Sequence, residues 1–222
     1  MKTKIISLLL CVGMICACNN TQKGAGIGAG GGALLGGIIG AIAGNTMVGA
    51  AIGGAVGAGA GAIIGKKMDK AKAEAEQVKN AQVETVKDNN GLEAVKVTFD
   101  SGILFATNKA DLNATSKASL TQFAEVLKEN RDMDIAIIGH TDNTGSDAIN
   151  NPLSKNRAQS VSKFLKSQGV ASAQIKTIDG QGSTNPVADN STAEGRKQNR
   201  RVEVYMYASE KMINEANAEA AK

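Results

Sequence analysis

The stretch GHTDNTGSDAINNPLSKNRAQSV, residues 139–161, contains a polar loop between an apolar segment and an amphipathic one. The residues just before it, 135–138, are all apolar and predict a buried strand over 133–139. After the loop, Pro152 favours the first turn of a helix. Apolar residues then recur at helical spacing, at Ala158, Val161, Phe164 and Leu165. The stretch therefore predicts a strand, a polar loop and a helix over 153–168.

Two charged residues of this stretch are placed to form a site. Asp142 lies in the loop just past the predicted strand, and Arg157 lies about one turn into the predicted helix. An acid and a base at a fixed separation can bind the ammonium and the carboxylate of a small zwitterion. From the two residues alone, a surface ion pair worth about 0–1 kcal/mol is the simpler interpretation.

Several spaced motifs resemble the signature of the OmpA-like peptidoglycan-binding domains. The resemblance covers residues 92–207, about half of the chain. In that family, the residues that match Asp142 and Arg157 hold the free amino-acid end of diaminopimelate in the stem peptide of the wall. The matching motifs are Gly139-His140-Thr141-Asp142, Gly145, Asn150, Leu153-Ser154, Arg157-Ala158, Val161 and Asn199-Arg200-Arg201-Val202-Glu203.

The resemblance implies three further residues of the peptidoglycan site. Asn108 lies in a loop where related domains have a residue that lines the pocket. Thr141 and Asn150 are placed to support the loop of Asp142, and for Asn150 a bond that braces the backbone is at least as good an interpretation as ligand contact. Arg200 and Arg201 open the last predicted strand. We expect one of them to brace the sheet edge through backbone carbonyls, and contact with the ligand is the alternative.

The pattern from residue 92 onward predicts an α+β domain. Its order of strands and helices is that of successive βαβ units, which form a mixed sheet with helices on one face, like the C-terminal domain of OmpA. Residues 208–222 form a polar, alanine-rich tail, predicted to be a frayed helix. The predicted elements are strands over 92–99, 133–139, 174–180 and 200–207 and helices over 114–129, 153–168 and 192–198.

The chain begins with a secretory leader, predicted over residues 1–17, with Lys2 and Lys4 before an apolar run. Cys18 follows Ile15-Cys16-Ala17, whose small residues suit lipoprotein signal peptidase. We therefore expect an acylated Cys18 at the start of a lipidated N-terminus, residues 18–23. An ordinary signal peptide with incidental cysteines is the alternative. By family analogy, Asn19 and Asn20 favour the outer membrane, with the C-terminal domain in the periplasm.

Residues 24–65 contain no charged side chain, and their glycines recur every four residues in two sets, from Gly24 to Gly44 and from Gly49 to Gly65. Each set would line one face of a helix, which predicts a glycine-zipper hairpin that inserts in the membrane or pairs with its like in a homo-oligomer. A flexible glycine-rich spacer is the alternative. Residues 66–91 are predicted to be a linker, with an exposed helix over 66–88 that acts as a tether.

These features predict a lipoprotein that binds peptidoglycan non-covalently and tethers the outer membrane to the wall. The net charge of +4 and 3% aromatic residues do not support nucleic-acid binding. His140 is the only histidine, so we expect no metal, cofactor or Ser-His-Asp triad. One alternative is an anchor or oligomerisation component of a larger envelope machine. Another is a wall-directed amidase or glycosidase, which would need paired carboxylates or a metal cluster.

Overall fold

The fold was analysed in a computed structural model, which describes residues 58–87, 93–100, 104–105 and 108–222. The described residues alternate between helices and strands, as the sequence predicts from residue 92 onward. The elements are α1 (Ala58–Ala75), β1 (Ala81–Lys87), β2 (Glu93–Asp100), α2 (Ala114–Glu129), β3 (Met133–Gly139), α3 (Asp147–Ser167), β4 (Ile175–Gly180), α4 (Ala193–Asn199), β5 (Arg201–Ala208) and α5 (Glu210–Ala220).

The five strands form one mixed sheet in the order β1-β2-β5-β3-β4, in which only β3 and β4 are parallel. All eight residues of the central strand β5 are buried. One face of the sheet, which includes Val97, Ile137 and Val204, shares a single apolar core with α1, α2, α3 and α5. The predicted α+β class and mixed sheet are confirmed.

Helix α3 packs unusually close to the ends of β3 and β4. A Cβ atom on Gly139 would lie 2.0 Å from the carbonyl oxygen of Ser154, and one on Gly180 would lie 2.3 Å from the backbone nitrogen of Lys155. No side chain fits at such separations, so glycine permits the contact. The loop that follows β3 therefore begins in direct contact with α3.

Helix α3 begins earlier than the sequence predicts, at Asp147 instead of residue 153. Ser146 is its N-cap, and Pro152 lies inside the helix. Proline in the second turn of a helix removes one backbone N–H and crowds the carbonyl four residues earlier. The helix nevertheless continues through Pro152. Arg157 consequently lies in the third turn of α3, deeper than predicted.

The predicted exposed helix over 66–88 is wrong. Helix α1 ends at Ala75, and residues 81–87 form the edge strand β1, antiparallel to β2. Ile64, Met68, Ala71 and Ala75 recur on one face of α1 and are buried in the core. This stripe is difficult to recognise in the sequence, because lysines and glutamates surround it and its alanines carry little apolar surface. The same small alanines let the helix approach the core closely.

The predicted frayed tail is instead the packed helix α5. Ser209 caps it by accepting a hydrogen bond from the backbone N–H of Met212. Met212, Ile213 and Ala216 are buried in the common core. At the far end of α5, a Cβ atom on Gly59 would lie 3.0 Å from the Cβ of Ala220, so α1 and α5 are in close contact.

The leader, Cys18 and residues 24–57 of the predicted zipper lie outside the described residues. Of the zipper, residues 58–65 form the first turns of α1, where Ala60 and Ile64 are buried. No helix in the described part of the chain is both long and apolar enough to cross a membrane. The predicted division into leader, zipper, linker and domain stays a prediction.

Candidate functional site

The loop between β3 and α3, which carries Asp142, is fixed by backbone hydrogen bonds to two neighbouring segments. The N–H of His140 donates to the carbonyl of Arg201 over 2.9 Å, and the N–H of Thr141 donates to the carbonyl of Gly182 over 2.8 Å. Gly182 in turn donates its N–H to Ser154 Oγ of α3 over 3.0 Å. These bonds fix the position of the loop relative to the ends of β3 and β5 and to α3.

Asp142 is 7% exposed, and both of its carboxylate oxygens accept hydrogen bonds. The backbone N–H of Thr144 donates to Oδ1 over 2.8 Å, and Nη1 of Arg200 donates to Oδ2 over 2.6 Å. Burial opposes ionisation of Asp142, but the bonds from Arg200 and Thr144 outweigh it and lower the pKa of this carboxyl. Asp142 is therefore a fixed negative charge.

Arg157 is 3% exposed and lies over the ring of Phe105, with 5.3 Å between its guanidinium carbon and the ring centroid. Its Nε donates to the carbonyl of Lys109 over 3.1 Å. Its buried Nη1 has no hydrogen-bond partner in the described part of the chain. Burial and the nearby charge of Arg200 lower the pKa of Arg157, and Asp142 opposes that shift.

Asp142 and Arg157 thus form no hydrogen bond with each other among the described residues, although the charge of Asp142 raises the pKa of Arg157 against the other two effects. An unsatisfied buried donor such as Nη1 of Arg157 costs about 1–3 kcal/mol. An acceptor oxygen of a ligand bound beside Asp142 would remove that cost. The arrangement suits a small group that brings both a donor and an acceptor.

The other predicted site residues take different positions around this pair. Asn108 is exposed and has a positive φ of 56°, in the turn that places the Lys109 carbonyl against Arg157. Thr141 is buried, and its Oγ1 has no hydrogen-bond partner among the described residues. Asn150 donates from Nδ2 to the carbonyls of Asp142 and Thr144 over 3.4 and 3.2 Å, so it braces the loop.

Arg200 is the site residue that the sequence reasoning did not assign. Its neighbour Arg201 is the brace: it donates to the carbonyls of Asn199 and Asn185 over 3.3 and 3.1 Å. Arg200 instead reaches Asp142. The only signal in the sequence was the Arg-Arg pair itself, which does not say which arginine points to the loop.

Behind the loop, on the other face of the sheet, Glu203 is buried among charged and polar groups. Its carboxylate accepts from Arg201 Nε over 2.7 Å and from the Tyr205 hydroxyl over 2.6 Å, and His140 Nε2 lies 3.3 Å away. Burial opposes ionisation, but the contact with His140 and the positive charges of Arg201 and Lys96 lower the pKa of Glu203. This cluster supports β5, which begins directly after Arg200.

Two family models match this chain. Residues 104–200 match the model of the OmpA family, and residues 1–69 match that of the YMGG-like Gly-zipper. The first match contains Asp142, Arg157 and Arg200, and the second contains all of the predicted zipper, residues 24–65. The candidate site therefore lies in the part of the chain that is similar to the OmpA family.

Among curated proteins, the chain is similar to the probable lipoprotein YiaD of Escherichia coli, with 46% identity over 49% of this chain and 46% of that protein. It is 43% identical to the peptidoglycan-binding protein ArfA of Mycobacterium tuberculosis, over 50% of this chain and 34% of ArfA. It is 39% identical to the outer-membrane lipoprotein YfiB of Pseudomonas aeruginosa, over 50% of this chain and 65% of YfiB. The chain thus matches only part of each relative.

Among solved structures, the cell wall anchor of the T6SS from Pseudomonas aeruginosa matches with a TM-score of 0.53 and 28% identity, over 64% of this chain and 97% of that one. A MotB-like protein from Desulfovibrio vulgaris matches with a TM-score of 0.57 and 22% identity, over 67% and 93% of the two chains. The second likeness is one of fold.

Proposed function

We propose that this protein binds peptidoglycan non-covalently through the site of Asp142 and Arg157. The ligand group is the free amino-acid end of a diaminopimelate-type stem peptide, which carries one ammonium and one carboxylate on the same carbon. The ammonium donates to Asp142, and the carboxylate accepts from Arg157. The observation that carries the proposal is the buried, unpartnered Nη1 of Arg157 beside an ionised Asp142.

The relatives support a wall ligand. ArfA is named a peptidoglycan-binding protein, and the T6SS component is described as a cell wall anchor. Asn108, Thr141 and Asn150 complete the proposed site, with Thr141 Oγ1 available to a ligand and Asn150 holding the loop of Asp142.

Binding is a better proposal than hydrolysis for the same residues. A general base works best with a pKa near the working pH, whereas the pKa of Asp142 is lowered by its bonds to Arg200 and Thr144. Inverting and retaining glycosidases use a pair of carboxylates, and Asp142 is backed by arginines instead. In the part of the chain that the structure describes, no group of His, Cys, Asp and Glu side chains is placed to hold a metal.

The protein would act as a tether, because its N-terminus is proposed to be anchored in lipid. YiaD and YfiB are both named lipoproteins, and YfiB is named an outer-membrane one. An acylated Cys18 would place one end in the outer membrane and leave the domain in the periplasm. The likeness to the T6SS wall anchor favours a second candidate, in which the tether belongs to a larger envelope assembly. Co-purified partners of the full chain would distinguish the two.

The test is co-sedimentation of the full chain with purified sacculi in detergent, with free diaminopimelate as competitor. The full chain is needed because α1 and β1 belong to the core, so a fragment that starts at residue 89 would lack part of its fold. We expect the chain to pellet with sacculi and diaminopimelate to release it, while lysine at the same concentration does not. Sedimentation that diaminopimelate leaves unchanged would contradict the proposed ligand.

A further inference from the structure

Arg200 supplies a second guanidinium at the site. Its Nη1 binds Oδ2 of Asp142, and its other side-chain donors have no partner in the described part of the chain. The side chain is 37% exposed, so those donors are accessible from the solvent. A carboxylate can accept about four hydrogen bonds, so Asp142 still has room for a ligand ammonium beside Arg200 and Thr144.

The charges of the described site residues do not balance. Two guanidinium groups, those of Arg157 and Arg200, flank the single carboxylate of Asp142. The two arginines are close enough that the charge of Arg200 lowers the pKa of Arg157. A carboxylate between them would offset the surplus positive charge, whereas a neutral group would not.

We propose that Arg200 is a specificity-determining residue that reads the ligand's carboxylate together with Arg157. This inference rests on the proposed function and states which form of the head group the site takes. The site selects an amino-acid end with a free carboxylate over the same end with a carboxamide. A carboxamide carries no charge, and only its carbonyl oxygen can accept from the guanidinium groups, because its NH₂ group is itself a donor.

A purely structural role for Arg200 predicts a different result. If Arg200 only positioned Asp142, its loss would weaken every ligand that uses Asp142, and by the same factor. If Arg200 also reads the carboxylate, its loss weakens a carboxylate ligand by a larger factor than a carboxamide ligand, which loses only the positioning of Asp142.

The experiment compares two synthetic stem peptides that differ only at the free amino-acid end, carboxylate in one and carboxamide in the other. Titration calorimetry measures both against the full-length wild type, Arg200→Gln and Lys197→Gln. Lys197 is exposed on α4 and has no contact with Asp142, so its variant controls for the loss of one positive charge. Thermal melts of the three proteins check that each is folded.

We expect the wild type and Lys197→Gln to prefer the carboxylate peptide by about tenfold or more, as for a hydrogen bond to a charged group. Arg200→Gln should lose most of that preference, because binding of the carboxylate peptide weakens by a larger factor than binding of the carboxamide peptide. Equal weakening of both peptides, or no change in either, would overturn the role of Arg200. Failure of the wild type to bind either peptide would instead contradict the proposed function and this inference with it.

Discussion

Nη1 of Arg200 and Oδ2 of Asp142 lie 2.6 Å apart, which joins the start of β5 to the loop after β3. The contact depends on the sheet, since Val202 pairs directly with Gly139 in the register of β3 and β5. The acid of the proposed clamp is therefore already charge-paired with Arg200, whereas Nη1 of Arg157 has no hydrogen-bond partner in the described part of the chain. An acceptor atom of a ligand would supply the bond that this Nη1 lacks.

The first prediction concerns the clamp. Asp142→Asn and Arg157→Lys should each lose most of the binding to sacculi, a cost of about 2–5 kcal/mol when one partner of a desolvated charge pair is removed. Asn keeps an acceptor for Thr144 but loses the charge. Lys keeps the charge but cannot reproduce the planar fork of Arg157 or its bond to the Lys109 carbonyl. Co-sedimentation with sacculi measures both.

Lys163→Ala is the matched control for the clamp, because Lys163 is exposed on the same helix as Arg157. It should sediment like the wild type. Arg157→Ala is a less suitable variant than Arg157→Lys. Arg157 packs on Phe105, so truncation to alanine would also loosen the core. Clamp variants that melt like the wild type and still pellet fully with sacculi would rule out this pair as the binding site.

The second prediction concerns the lipid anchor. Cys18→Ala should abolish incorporation of labelled fatty acid and release the protein from the membrane fraction, because acyl chains provide the membrane affinity. Cys16→Ala is the matched control. It should be labelled normally, because alanine is also a small residue and suits the peptidase. Labelling of Cys18→Ala at the wild-type level would refute the assignment.

The third prediction concerns the zipper. Leucine at Gly32, Gly36 and Gly40 should reduce cross-linked oligomers, since small residues on one helix face permit close backbone approach. Leucine at Ala33, Gly37 and Ala41 keeps the same spacing on another face and should have a smaller effect. Sacculus binding should be unchanged in both. If the two triple variants cross-link alike, the glycine period does not define a packing face.

The elements between residues 93 and 208 were predicted well, because continuous apolar runs such as 135–138 strongly favour buried strands. It failed on α1, β1 and α5, where the buried positions are mostly alanine, methionine and isolated valine among charged residues. Ala60, Ala71 and Ala75 bury little area each, so composition suggests an exposed helix. Their packing depends on a neighbouring surface that the local sequence does not contain.

The site was predicted in part. A spaced motif identified Asp142 and Arg157, and the structure places both beside one loop. The position of Arg200 could not be predicted, because it follows from the register of β5 against β3. The burial of Arg157 also could not be predicted, since it results from the ring of Phe105 and the turn at Asn108, both far away in the chain.

The fourth prediction concerns Glu203. Glu203→Gln should destabilise the domain by about 3–5 kcal/mol, as for the loss of one partner of a buried ion pair. Arg201 would keep its charge without the carboxylate that now faces its Nε. Glu84→Gln removes a mostly exposed partner of Lys96 in the same cluster and should cost only about 0–1 kcal/mol. Urea unfolding measures both.

Glu203 also predicts a pH dependence. Because its pKa is lower in the folded state, its contribution to stability is present above the ordinary value of 4.5 and is lost as the pH falls below that value. The wild type should therefore lose stability in acid, and Glu203→Gln should lose less. Parallel curves of unfolding midpoint against pH for the two proteins would show that Glu203 does not contribute in this way.

The fifth prediction concerns helix α1, which the sequence suggests is a free tether. Met68 is 1% exposed and belongs to the common core, so Met68→Ala should lower the free energy of unfolding by about 2–5 kcal/mol. Lys66 is exposed and lies in the same helical turn as Met68. Lys66→Ala should therefore leave the free energy of unfolding nearly unchanged. Urea unfolding of the full chain, followed by circular dichroism, compares the two variants. A tether that only links the membrane to the domain would melt independently, and Met68→Ala would then leave the midpoint of the domain where it is in the wild type. A shifted midpoint with a single cooperative transition is the result that places α1 within the folding unit of the C-terminal domain.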